Sequence, residues 1–157
     1  MVRKELFLAS LAMALVYAAW RGGGPERFMA GISVSMVGAD LVLHLWIPPH
    51  FATLDAGHLA IDLWGAATTT ALALIAYRFW PLLAAPVHIL PLLAHTSRFF
   101  DMRLDPVAYL TMQVAPSWFV PPLLVAGTWR HAARVKRRGD DRSWHISWRP
   151  HQFNRSV

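Results

Sequence analysis

The sequence predicts an all-α, polytopic membrane protein of about five spans, and three features of its composition support this. Hydrophobic residues make up 55% of the 157 residues and charged residues only 15%, whereas soluble domains carry about 25% charged residues. The mean hydropathy is +0.35. Eight tryptophans and eleven prolines suit this class, because Trp is enriched at membrane interfaces and Pro is tolerated in membrane helices. We divide the chain into a transmembrane helical domain, 1–129, and a basic, Trp-containing cytoplasmic tail, 130–157.

The first two apolar runs are separated by a glycine-rich segment. Residues 6–20 are slightly fewer than the roughly 20 that a full span needs, so we expect a thin first span, although a signal peptide has a similar pattern. Three glycines and a proline within residues 21–27 predict a tight turn. The second predicted span, 28–46, ends before two consecutive prolines.

The later spans are predicted to be antiparallel and interrupted by prolines. Span three covers residues 57–77, and the short connection 78–81 makes span four, 82–99, its antiparallel neighbour. Prolines lie within span four and within span five, 107–129. Because proline removes a helical hydrogen bond, we expect kinks in both.

The distribution of basic residues predicts the orientation. A cytoplasmic C-terminus places eleven Lys and Arg residues inside and four outside, as the positive-inside rule requires. The C-terminus is therefore predicted to be cytoplasmic, and five spans place the N-terminus outside. The chain contains no cysteine, which excludes disulfides, thiolate metal sites and Cys nucleophiles.

Ionisable side chains occur in pairs at helical spacing inside the predicted spans. Residues three or four apart share a helix face, and polar groups in membrane helices turn inward because lipid exposure is costly. The predicted topology brings these residues to similar depths in the outer leaflet, with one histidine deeper. The three pairs are Asp40 with His44, His58 with Asp62, and His95 with Arg98, and the deeper histidine is His88.

The simplest interpretation of these pairs is structural. Asp40 and His44 can pair within one helix, as can His58 with its neighbour Asp62. An ion pair between Asp62 and Arg98 would join spans three and four. Polar contacts of this kind between membrane helices contribute about 0.6 kcal/mol on average.

Three functional interpretations compete with the structural one. A zinc or iron site could use His44, His58 and His95, with Asp40 or Asp62 as ligand or supporting group. A haem or bacteriochlorophyll could be ligated by His88 or His95. A proton or quinone site could use the His58 and Asp62 pair, since both groups can titrate near neutral pH in such surroundings.

The basic tail is predicted to contact lipid headgroups or a partner subunit. Basic and aromatic side chains favour the membrane surface, so the candidate contact residues are Arg137, Arg138, Trp144 and Trp148. The sequence contains no nucleic-acid recognition motif, so we predict no nucleic-acid partner.

Three segments, GHLAIDLWGAA (57–67), PLLAHTSRFFD (91–101) and LDPVAY (104–109), resemble a group of small multi-pass membrane proteins common in alphaproteobacteria. The resemblance covers roughly residues 15–138 and implies a bacterial inner-membrane location. That group carries no assigned activity, so the resemblance transfers no functional residue.

The small size and the lack of an enzyme motif favour a non-catalytic subunit of a larger respiratory or photosynthetic inner-membrane complex, packed on partner helices or pigments. The alternative is a redox membrane protein that binds haem, chlorophyll, quinone or metal through the His/Asp cluster. A small transporter or channel is a third possibility.

Overall fold

The computed structural model describes residues 2–46, 56–100 and 105–145, and this part of the chain is helical apart from one isolated β-bridge. The helices are α1 (Val2–Arg21), α2 (Gly24–Trp46), α3 (Ala56–Ile75), α4 (Trp80–Phe99), α5 (Pro106–Val114) and α6 (Val120–Arg138), with a 3-10 turn at Pro116–Phe119. The all-α prediction is therefore confirmed. Two helices of the described part, α2 and α3, are long and apolar enough to cross a membrane.

Helix α2 begins earlier than predicted, so the turn before it is shorter. Pro25 occupies the first helical turn, where its fixed φ angle and missing N–H suit a helix start. The Glu26 carboxylate accepts a hydrogen bond from the Gly23 N–H at 3.1 Å. The residues predicted to form a turn therefore cap a helix.

Proline affects the last two predicted spans differently. Helix α4 runs unbroken with Pro86 and Pro91 inside it. The predicted fifth span is instead divided by the 3-10 turn that starts at Pro116, and α6 continues past residue 129 to Arg138. The predicted boundary between domain and tail thus lies within a helix. Gly139 ends α6 in the left-handed conformation, with φ of 75°, which glycine adopts without strain.

The antiparallel connections give the bundle two distinct ends. We call the end where α2 finishes and α3 starts the His/Asp end, and the end where α2 starts and α6 finishes the basic end. The buried core lies mainly in the half nearer the basic end and includes Ala18, Met29, Leu72, Ala76, Trp80 and Leu124. Small residues in this core allow the helices to approach closely.

Exposed large apolar side chains and a few buried ionisable ones distinguish this bundle from a typical soluble protein. Glu26 is 0% exposed and His95 2%, whereas Leu45 is 79% exposed and Leu74 73%. Large apolar side chains are exposed along the described helices, while four ionisable side chains, those of Glu26, Arg78, His88 and His95, are buried. Such a surface suits acyl chains or partner helices better than water.

Candidate functional site

Three ionisable side chains from α2 and α3 meet at the His/Asp end. Nε2 of His58 lies 3.3 Å from Oδ1 of Asp40, and Nε2 of His44 lies 3.5 Å from the same oxygen. The two imidazole rings are 5.1 Å apart between centroids. The predicted pairing of Asp40 with His44 is confirmed, and His58 joins it from the neighbouring helix.

Helix α3 approaches α2 closely at Gly57. A Cβ atom at this position would lie 2.6 Å from a Leu43 methyl carbon. A larger residue at position 57 would therefore have to displace the Leu43 side chain for the first turn of α3 to pack this tightly on the last turns of α2. This packing places His58, the next residue, beside Asp40.

One turn along α3, Asp62 faces α4 and forms a second contact. Its Oδ2 lies 3.0 Å from Nε2 of His95, which also lies 3.0 Å from the Gln113 amide nitrogen of α5. A protonated Nε2 donates to the carboxylate, and a deprotonated Nε2 accepts from the amide. Asp62 therefore contacts His95 of α4, and His58 contacts Asp40 of α2. The predicted pairing of Asp62 with Arg98 involves a side chain outside the described part of the chain.

His88 is buried deeper in the bundle and stands apart from both contacts. Its Nδ1 lies 3.0 Å from the Ala84 carbonyl oxygen, to which it donates a hydrogen bond. Its ring packs beside Gly65, where an added Cβ would lie 3.1 Å from the imidazole and 2.5 Å from the methyl carbon of Met36. Helix packing already occupies the space around this ring.

The predicted site residues are thus divided between separate groups. The structure does not bring His44, His58 and His95 together as the predicted metal site. His95 pairs with Asp62, while His44, His58 and Asp40 form a cluster of their own. Arg98 lies in the last turn of α4, but its side chain is outside the described part. Trp148 lies outside the described residues.

Part of the tail packs on the bundle at the basic end. Residue 144 forms the isolated bridge with Ala76, through hydrogen bonds from the Tyr77 N–H to the Ser143 carbonyl at 3.0 Å and from the His145 N–H to the Ile75 carbonyl at 2.9 Å. The Trp144 ring meets Phe28 edge-on at 6.5 Å. Trp144 therefore contacts its own chain, whereas Arg137 and Arg138 are exposed on α6.

A buried ionic network that the sequence analysis missed lies at the same end. The Arg78 guanidinium is 2% exposed, with Nε at 3.4 Å from Oε1 of Glu26 and Nη2 at 2.8 Å from Oδ2 of Asp141. The Trp80 indole N–H also donates to Glu26, at 3.1 Å. Two hydrogen bonds from Arg78 Nη1 go to the carbonyls of Tyr77 and Arg142.

The carboxylate of Asp141 contacts three basic side chains. Besides Arg78, it accepts from Nδ1 of His131 at 2.7 Å and from Nε of Arg134 at 2.9 Å. Burial raises the pKa of Asp141, but hydrogen bonds from Arg134 and His131 and the charge of Arg78 outweigh it and hold the pKa below its usual value. The carboxylate therefore stays ionised and ties the segment after α6 to the bundle.

The two ends differ in the chemistry that their side chains allow. In the network around Arg78, the Arg78 and Glu26 side chains are buried at 2% and 0% exposure and opposite charges are paired, which is typical of a structural contact. Asp40, His44 and His58 are 39%, 32% and 24% exposed, and their nitrogen and oxygen atoms converge within 4.8 Å. This combination of accessible imidazole and carboxylate groups suits a small cation better than a tetrapyrrole.

Comparisons with protein-family models, with curated proteins and with solved structures found no match to this chain.

Proposed function

We propose that this protein is an integral, non-catalytic subunit of a larger bacterial inner-membrane complex, respiratory or photosynthetic in type. The exposed apolar surface of the bundle carries the proposal. The side chains of Glu26, His88 and His95, which are costly in lipid, are buried, and the outside presents bulky apolar and aromatic side chains that can pack on acyl chains or partner helices.

Helices beyond α2 and α3 also suit a bilayer. The two histidines of α4, His88 and His95, lower its hydropathy, but both are buried. Leu82, Ile89 and Leu93 of the same helix are exposed, so its outer face is apolar. This distribution supports a bundle of about five spans.

The proposed orientation places the basic end in the cytoplasm. Trp20 is 73% exposed at this end, and the Arg21 guanidinium lies 4.8 Å from the centre of its ring. Tyr77 is also exposed there, with Arg142 stacked at 5.4 Å. Aromatic and basic residues together favour the headgroup region of the cytoplasmic leaflet.

Cysteine labelling tests the membrane part of this proposal, since the chain has no cysteine of its own. In inverted and right-side-out vesicles, a membrane-impermeant maleimide should label Phe79→Cys only from the cytoplasmic side and Leu45→Cys only from the outside. Met13→Cys, at mid-height of α1, should be labelled only after denaturation. Labelling of all three from one side in sealed vesicles would exclude a membrane-embedded bundle.

Native mass spectrometry from mild detergent tests the subunit part. We expect the chain in a complex of fixed stoichiometry with other membrane proteins, without turnover activity of its own. A protein that remains monomeric across detergents of decreasing harshness would contradict the proposal, whatever the labelling shows.

The convergence of Asp40, His44 and His58 favours a second candidate function, a cofactor-binding membrane protein. Among the cofactors predicted from the sequence, a tetrapyrrole needs an open face beside its ligating nitrogen. Nε2 of His95 already contacts two side chains, and the ring of His88 is enclosed by helix packing. Absorbance spectra of the purified protein between 350 and 900 nm test for haem or bacteriochlorophyll directly, and the absence of pigment bands would leave a metal ion or a quinone.

A further inference from the structure

We propose that Asp40, His44 and His58 bind one divalent transition-metal ion of the zinc type, coordinated tetrahedrally between α2 and α3. This inference refines the second candidate function by naming its ligand class and its donor atoms. It does not require the protein to be a subunit of a complex.

The two separations that involve Asp40 match the geometry of such an ion, and all three donor atoms lie within 4.8 Å of one another. Zinc binds imidazole nitrogen and carboxylate oxygen at about 2.0–2.2 Å, so tetrahedral angles put neighbouring donors about 3.4 Å apart. Oδ1 of Asp40 lies 3.3 Å from Nε2 of His58 and 3.5 Å from Nε2 of His44. An octahedral ion with bonds of about 2.1 Å would instead need donors about 3.0 Å apart.

The same separations fall within ion-pair distance but are longer than strong charge-assisted hydrogen bonds. Charge-assisted hydrogen bonds between nitrogen and oxygen are about 2.7–2.9 Å long, as the 2.7 Å contact between His131 and Asp141 illustrates. The two histidines at the other end surround one oxygen at greater distance. This spacing leaves room for one ion among the three donor atoms.

Charge and access also suit a cation at this position. One carboxylate and two neutral imidazoles give a net charge of −1, which is a common donor set for zinc. Because all three groups are partly exposed, an ion can enter and water can complete its shell. Lys4, near the start of α1, is close enough for its charge to act on Asp40, and this charge opposes a bound cation.

Metal titration of the purified chain, produced without a polyhistidine tag, tests the proposal. Co²⁺ added to the protein in detergent should bind one ion per chain and give the intense visible bands of four-coordinate cobalt, and Zn²⁺ should displace it. His44→Ala, His58→Ala and Asp40→Asn should each weaken binding at least about tenfold, because losing even an outer-shell partner costs 10–100-fold.

Two further variants separate a specific site from misfolding and from adventitious binding. His145→Ala removes an exposed histidine at the basic end and should leave the affinity unchanged. Lys4→Ala removes the opposing charge and should tighten binding about two- to fivefold, as expected for a surface charge pair. A gain in affinity cannot arise from loss of structure.

Weak cobalt spectra that do not change in His58→Ala would overturn the proposal, as would equal losses in His58→Ala and His145→Ala. Either result would leave these three side chains as contacts between helices. Since the titration uses the isolated chain, such a failure would not affect the subunit proposal.

Discussion

Replacing Arg78 with alanine should destabilise this protein more than any other removal of a single basic side chain that the structure describes. The guanidinium lies in the turn between α3 and α4, 2% exposed, and contacts carboxylates from two other parts of the chain. One of them, Glu26, is 0% exposed. The other, Asp141, holds the segment after α6.

The size of the effect follows from what the substitution leaves behind. Without Arg78, Glu26 keeps hydrogen bonds from the Trp80 indole and the Gly23 backbone, at 3.1 Å each, but loses its ion-pair partner. Removing one partner of a buried ion pair costs about 3–5 kcal/mol. Arg78→Lys should lose much of the same free energy of unfolding, because a single ammonium group cannot contact two carboxylates and the backbone carbonyls at the same time.

Equilibrium unfolding in mixed micelles of increasing SDS fraction measures this loss. Arg138→Ala is the matched control, since Arg138 is an exposed arginine of α6, and it should change the free energy of unfolding by less than about 0.5 kcal/mol. The double variant Glu26→Gln with Arg78→Met removes both charges together and should recover part of the loss. If Arg78→Ala and Arg138→Ala unfold at the same SDS fraction, the reasoning about the buried network is wrong.

Three further predictions address packing, pH and helix pairing. Gly127→Ala should lower the free energy of unfolding by about 1–3 kcal/mol, because its Cβ would lie 2.6 Å from the indole nitrogen of Trp80. The control Gly31→Ala, with open space around it, should be neutral or stabilising, and equal losses in the two variants would contradict the packing. Asp141 has a lowered pKa in the folded state, so its stabilisation of the fold is complete above its unfolded pKa of about 3.9 and is lost as the pH falls through the folded value. The difference in unfolding free energy between wild type and Asp141→Asn should therefore shrink below about pH 4. A difference that stays constant with pH would refute this. A double-mutant cycle of Asp62→Asn with His95→Gln should show a coupling of about 0.6–1.7 kcal/mol, and zero coupling would mean that this contact contributes nothing.

Local patterns in the sequence predicted the features that depend on short separations. The helices and the pairing of Asp40 with His44 follow from spacing within a few residues. The partners of His58 and Asp62 could not be predicted this way. Their contacts depend on how two helices are rotated and shifted relative to each other, which periodicity within one helix does not determine.

The ionic network was missed because its members lie in segments that looked like ordinary turns. Glu26 follows three glycines and a proline, Arg78 lies in a short connection, and Asp141 comes directly after a helix. The antiparallel topology nevertheless brings all three to one end. Two acidic residues at the end where basic residues are concentrated were the signal that could have indicated a buried pair.

The unequal construction of the two ends explains why the His/Asp end is the better place for a ligand. The buried apolar core and the network around Arg78 both lie toward the basic end, so most of the packing free energy does not depend on Asp40, His44 or His58. Polar contacts between membrane helices are weak, and these three side chains remain partly exposed. Substitutions there should therefore alter binding while the bundle stays folded, whereas substitutions in the network around Arg78 should destabilise the fold. That contrast makes loss of metal binding at the His/Asp end interpretable as loss of ligands.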